Sequence, residues 1–200
     1  MNCSLAVRIA AAEGDVPLDL DWVEFDSKLL SSGGSLLDVN PLGQVSTLRL
    51  ENNDVLTETS ACLMWVQSQS HNAFRVDPDD PAYFQQLRWL GFIATELHKQ
   101  LLRVVFYAEA TPSVKQKFRA LIPDRFALLE TELSRNEYLL GDGFTSADAY
   151  LTWFCALAGP AGVSLESYPN FSAYAARMLS RNSVVRLIAE DEARKQAQKG

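Results

Sequence analysis

Histidine occurs only twice and cysteine three times in 200 residues. His71 and His98 stand far apart, and Cys3, Cys62 and Cys155 form no Cys-x-x-Cys pair. That scarcity excludes a histidine-rich metal centre and a zinc-ligand pattern, so no metal is expected. It equally excludes a disulfide framework and points to free thiols in a reducing compartment, the cytoplasm. No apolar run approaches the roughly 18–20 residues of a membrane span. The opening Leu5–Ala12 stretch is interrupted by Arg8 and has no basic region before it, unlike a secretion signal. Basic residues are also few: 18 Lys and Arg against 25 Asp and Glu leave a net charge of −7. A surface of that sign repels phosphate backbones and anionic lipid, which argues against nucleic acid or a membrane as partner. What is present, 48% hydrophobic and 22% charged residues, is the composition of a globular protein with one large domain or two small ones.

The chain changes texture along its length. Cys3–Glu13 is apolar at Leu5, Ala6, Val7, Ile9, Ala10 and Ala12, is broken by Arg8 and stops at Gly14, which predicts a helix. Leu18, Leu20 and Trp22 alternate with Asp19 and Asp21 after Pro17, which predicts a strand over Leu18–Phe25, followed by a Gly33-Gly34 loop. Val45–Leu50 and Val55–Thr59 flank the turn-forming Glu51-Asn52-Asn53-Asp54 and predict a hairpin, with a helix over Thr59–Gln69 after it. Arg75–Pro81 is polar and proline-rich and marks the expected boundary between domains at 1–74 and 81–200. Beyond it every segment reads as helix. Phe84, Leu87, Leu90, Ala94, Leu97 and Leu101 form one stripe. Val114, Phe118, Leu121, Ile122, Leu129 and Leu133 form a second, in which Pro123 predicts a kink or a break. Three shorter helices are expected over Ser146–Leu157, Asn170–Ser180 and Ser183–Lys195. The fold class is therefore a mixed α/β domain followed by an all-helical one.

Five stretches carry a resemblance, in order along the chain: Cys3-Ser4-Leu5-Ala6, Asn40-Pro41-Leu42-Gly43-Gln44-Val45, Leu56-Thr57-Glu58-Thr59-Ser60-Ala61, Thr95-Glu96-Leu97-His98-Lys99 and Gly141 to Asp148 (GDGFTSAD). Together they resemble the cytosolic glutathione transferases, specifically the bacterial beta class. The resemblance implies a thioredoxin-like N-terminal domain, an all-helical C-terminal domain, glutathione as co-substrate, a small apolar electrophile as second substrate and a homodimer.

Glutathione is an anionic tripeptide whose thiol, with an ordinary pKa of about 8.5, must ionise near neutral pH. Glu58-Thr59 lies where a strand runs into a helix, so N–H groups and the helix dipole face a bound carboxylate. By resemblance Thr59 stands for the family's serine and Glu58 helps hold the glutamyl end, while the other reading of Thr59 is an ordinary N-cap. Cys3 opens a helix, a position that favours a thiolate, and by resemblance it meets the glutathione sulfur. Ser4 is either a second donor to that sulfur or the helix N-cap. The Val45 backbone is implied to pair with the tripeptide. His98 and Lys99 are implied to border the electrophile pocket and to assist proton transfer or glutathione binding, although a histidine on an amphipathic helix serves as readily in structure. Cys62 and Cys155 read as core, His71 as solvated, and Trp89, Phe106 and Tyr107 as core or pocket wall. Thr145-x-x-Asp148 is a capping box with Phe144 as its staple, a folding device.

Two features depart from the family. Ser46 stands where the family carries a cis-proline, and a cis bond before another residue costs about 2.5–4 kcal/mol, so a trans Val45–Ser46 bond is expected. Only Met1 and Asn2 precede Cys3, where the family has its first strand, so either the start is truncated or the sheet is rearranged. These departures favour, as the alternative to an enzyme, a non-catalytic binding or scaffold protein of the same shape. A thiol-disulfide reductase acting through Cys3 is a third reading.

Overall fold

The computed structural model describes residues 1–197 except 73, 75 and 142. The Arg75 end of the expected linker and the Asp142 of the capping motif thus lie outside the described residues. Helix α1 (Ser4–Glu13) buries Leu5, Ala6, Val7, Ile9, Ala10 and Ala11, and Arg8 with them. Burial on all sides follows from its place between three other helices. α1 ends at Gly14, whose N–H returns to Ala10 O at 2.9 Å. A Cβ there would meet the Phe74 ring at 3.0 Å, so any larger residue would push the ring outward.

The expected strand over Leu18–Phe25 is absent. Among the described residues its only strand pairing is an isolated bridge from Val23 to Leu30. Backbone groups here go to local turns instead: Glu24 N–H to Leu29 O, Lys28 N–H to Glu24 O and Ser31 N–H to Trp22 O. Asp21 binds the hydroxyls of Ser31 and Ser32, so the alternating pattern closes on itself before it can join a ladder. The hairpin is present but short. Strand β1 (Thr47–Arg49) pairs antiparallel with β2 (Val55–Thr57), with Leu48 opposite Leu56. Its turn has Asn53 at φ 67°, a left-handed conformation that asparagine tolerates. β2 runs into α2 (Thr59–Gln69), which packs along α1.

The helical part opens with α3 (Pro81–Phe92), started by Pro81 and capped by the Asp80 side chain on Ala82 N–H at 2.8 Å. It passes without a break into a wider π-helical coil over Ile93–Leu102 and then α4 (Arg103–Phe106). The expected stripe is half right. Leu90, Leu97 and Leu101 are buried, but Phe84 and Leu87 are 70% and 39% exposed, and Gln86, Trp89 and Ile93 face inward instead. Phe84 and Leu87 step back from Leu90 by threes, which a 3.6-residue turn carries off the buried face, and in the widened coil the inward positions Ile93, Leu97 and Leu101 advance by four. Pro123 gives a break, not a kink. Helix α5 (Pro112–Arg119) stops, and Pro123 sits in the first turn of α6 (Ile122–Leu133), where its missing N–H is not needed.

Helix α7 (Ser146–Ala158) is buried on nearly every side and forms the centre of the molecule. Its start is the expected capping box. Asp148 Oδ2 accepts from Thr145 N and Oγ1 at 2.9 and 2.8 Å, and Oδ1 accepts from Leu139 N and the Tyr174 hydroxyl at 3.0 and 2.9 Å. Phe144 stacks on Phe74 beside it. Phe126 of α6 is ringed edge-on by Phe154, Tyr168 and Phe171, which seats α8 (Pro169–Leu179). α9 (Asn182–Ala197) returns to α1, where Arg8 pairs with Glu190 and Asp191 and Arg181 pairs with Glu13. Ser146 Oγ donates to Leu63 O at 3.0 Å, tying α7 to α2. Among the described residues no helix is long and apolar enough to cross a membrane.

Candidate active site

Four pieces of backbone meet beside the start of α1: the Val45-Ser46 loop, the β2–α2 junction, the π coil and α7. Each is held for a local reason. Asn40 anchors the loop by donating to Gln44 O and Thr47 Oγ1 at 2.8 and 3.1 Å. An ion pair from Arg125 to Glu96 at 2.6 Å ties the π coil to α6. The capping box pins α7 two residues before Tyr150.

Cys3 Sγ donates to Val45 O at 2.9 Å. Ser46 Oγ and Thr59 Oγ1 lie 3.3 Å apart. Across from them the Tyr150 hydroxyl and His98 Nδ1 are 2.7 Å apart, and the His98 ring sits edge-on to Trp153 at 4.5 Å. The Val45–Ser46 bond is cis, contrary to the trans bond expected from Ser46, as is Thr57–Glu58. Both residues of the first bond are engaged: the Cys3 thiol takes the Val45 carbonyl, and the Cys62 thiol lies 3.9 Å from the Ser46 carbonyl.

Electrostatics modify the expectation for Cys3. Its thiol is buried, and that burial raises its pKa against the pull of the Thr59 and Ser46 hydroxyls and of Lys99. The free protein therefore carries a neutral thiol here, because desolvation outweighs the helix terminus. Burial also raises Tyr150, with the neighbouring Cys3 adding to it, so its hydroxyl stays protonated. Burial lowers His98 to about 4, helped by the charges of Lys99 and Arg103. Cys62 is pushed up to about 12 by burial and is inert core, as expected. The Trp153 Nε1 is buried with no partner among the described residues.

The remaining candidates divide. Thr59 is buried, but it is the first helical residue of α2, and exposed Glu58 holds the cap position, which replaces the N-cap reading of Thr59. The Glu58 side chain makes no cap bond. Ser4 turns away from the cluster: its hydroxyl and N–H both go to Asn2 Oδ1, and Cys3, not Ser4, is the N-cap. Lys99 is exposed and lies near enough to act on the Cys3 thiol. Tyr150 and Trp153 were not singled out by the sequence. Their one signal was a phenol and an indole in a largely apolar helix, groups that seek a polar partner when buried. Among the described residues no cluster of three or more His, Cys, Asp or Glu could hold a metal ion.

His98 carries a pH prediction. An imidazole with folded pKa of about 4 and an ordinary value of 6.5 binds fewer protons folded than unfolded between those limits. Its contribution is complete above pH 6.5 and is lost as pH falls through 4. At 1.36 kcal/mol per unit the loss approaches about 3 kcal/mol. Urea unfolding at pH 7 and pH 4.5 should show a smaller drop in stability for His98→Gln than for the parent. Equal drops would assign the acid sensitivity elsewhere.

Residues 92–182 match the family described as glutathione S-transferase, C-terminal domain. The chain is 30% identical to the glutathione S-transferase GstA of Escherichia coli O157:H7, over 91% of this chain and 90% of that one. Its fold superposes on a sphingomonad glutathione S-transferase complexed with glutathione, with a TM-score of 0.89 at 26% identity, covering 95% and 94% of the two chains. A bacterial beta-class glutathione S-transferase from Sphingomonas chungbukensis gives a TM-score of 0.86 at 28% identity, covering 94% of each. The thioredoxin-like and helical layers expected from the sequence are thus the fold of these relatives.

Proposed function

The chain belongs to the glutathione S-transferase family, and on that premise we propose that it joins the thiol of glutathione to a small apolar electrophile. The observation that carries this reading is the convergence of the Cys3 thiol, the Ser46–Thr59 hydroxyls and the Tyr150–His98 couple at the mouth of α1. Residues 1–74 act as the glutathione-binding domain and residues 81–200 as the helical domain that closes the electrophile side. Glu58 receives the glutamyl amine, and Thr59, at the start of a helix, receives the glutamyl carboxylate. The Val45 backbone pairs with the cysteinyl part, and Lys99 offers a cation to the anionic tripeptide. Ser4, bound to Asn2, serves the geometry of α1 and not the sulfur.

The sulfur loses its proton to solvent and is held as thiolate by donors. A protonated Tyr150 donates to His98 Nδ1, which leaves the proton of the neutral imidazole on Nε2, free to donate to sulfur. The Cys3 S–H, which donates to Val45 O in the free protein, turns to the glutathione sulfur as a second donor once the tripeptide takes the Val45 backbone. The thiolate then attacks the electrophilic carbon, the C–S bond forms, and the displaced group leaves with its electron pair. A raised Cys3 pKa works against the reductase reading, since thiolate and not thiol is the nucleophile. No observation favours a non-catalytic scaffold. A cytoplasmic homodimer is the assembly proposed, with exposed Phe84 and Leu87 on α3 as its apolar contact.

Titration calorimetry with glutathione under reducing conditions tests the site. Saturable binding is expected, weakened about tenfold in Glu58→Ala by loss of a charged partner to the amine. A folded chain that gives no heat with glutathione would overturn the enzyme reading.

A further inference from the structure

Lys99, Arg103 and Tyr107 recur every four residues along the π coil, α4 and its end. That spacing puts them on one side of the continuous helix, leading away from the thiol end. All three are exposed. Arg103, Val104, Tyr107, Ala110 and Val114 line an open cleft of about 440 Å³, within the size range of small-molecule sites. Its walls are apolar and its cation is Arg103. The Arg103 guanidinium lies 5.6 Å from the centre of the Tyr107 ring. Among the described residues neither Arg103 nor Lys99 has a carboxylate within 4.0 Å, whereas Arg125 and Arg181 are each bound to one and Arg8 to two. Arg103 thus brings an unneutralised charge to an otherwise apolar cleft, in a chain of net charge −7. Glu109 acts on the Tyr107 hydroxyl and repels a negative charge placed there, which leaves Arg103 as the place for one. Arg103 stands five residues beyond His98 on the same continuous helix, and its charge acts on that ring, so cleft and reacting end are neighbours.

We propose that the small electrophile carries one anionic group on its apolar body: Arg103 binds its carboxylate or equivalent group, the walls of Val104, Tyr107, Ala110 and Val114 take the apolar body, and its electrophilic carbon points back along the helix to the glutathione sulfur. This rests on the transferase reading above. Arg103 is then a specificity-determining residue. Its planar fork suits a carboxylate, and a charge-assisted bond at a partly open site changes binding by about tenfold.

The test uses 4-chloro-3-nitrobenzoate and the neutral 4-chloro-3-nitrobenzamide. In both the thiolate forms the C–S bond, the C–Cl bond breaks, and chloride leaves with the electron pair while the thiol proton goes to solvent. The quantity read is the ratio of kcat/KM for benzoate to that for benzamide, each divided by its uncatalysed rate with glutathione. The parent should favour the benzoate, Arg103→Gln should lower the ratio about tenfold through KM, and Arg103→Lys should keep most of it. A parent that conjugates the benzamide as well as or better than the benzoate, or a ratio unmoved in Arg103→Gln, overturns the proposal and leaves the transferase reading standing. A parent that binds no glutathione by calorimetry overturns both.

Discussion

Asp148→Ala is expected to cost about 4 kcal/mol of folding stability and to lower the melting temperature by about 10 °C. The carboxylate is completely buried and accepts four hydrogen bonds, from Leu139 N, Thr145 N, Thr145 Oγ1 and the Tyr174 hydroxyl. Its worth does not lie in its charge. Burial raises its pKa even against those four donors, so ionising it in the interior is itself costly. It matters because four donors have no other acceptor once it is gone, at about 1–3 kcal/mol for each group left unpaired, less what relaxation and entering water recover. Asp148→Asn keeps the Oδ1 acceptor and should lie between the two. Urea unfolding and thermal melts of the three proteins check this, and a loss below about 1 kcal/mol for the alanine variant would mean that α7 is nucleated by packing alone.

His98→Ala should lower kcat for conjugation by about a hundredfold, the lower end of what a positioned proton-bearing group contributes, with glutathione affinity changed far less. Tyr150→Phe removes the 2.7 Å partner of Nδ1 and leaves the ring free to take the other tautomer. It should cost about tenfold. The double variant should be no worse than His98→Ala, because Tyr150 acts on the sulfur only through the imidazole. Steady-state rates with a chloronitrobenzene electrophile decide the matter. Additive losses would mean that Tyr150 contacts the reactants directly.

The positions of the helices were written in local sequence. Gly14 stops α1, Pro81 and Asp80 start α3, and Thr145 with Asp148 starts α7, each through bonds made within four residues, so composition and spacing suffice to find them. So too the Cys3, Glu58-Thr59 and His98-Lys99 candidates were visible as short motifs. What lay outside the reach of sequence needed partners distant in the chain. Leu18–Phe25 alternates as a strand does, but a strand exists only in a ladder, and this segment bonds to its own turns. In α3 the buried face runs through Gln86, Trp89 and Leu90 and leaves out Phe84 and Leu87, because spacings of three drift off one face of a 3.6-residue helix and the packing partner decides which face is covered. Tyr150 joins His98 across 52 residues, and the buried setting of Cys3 makes it a neutral thiol where its helix position alone favours a thiolate. Protonation depends on what surrounds a group in space, and only the folded chain decides that.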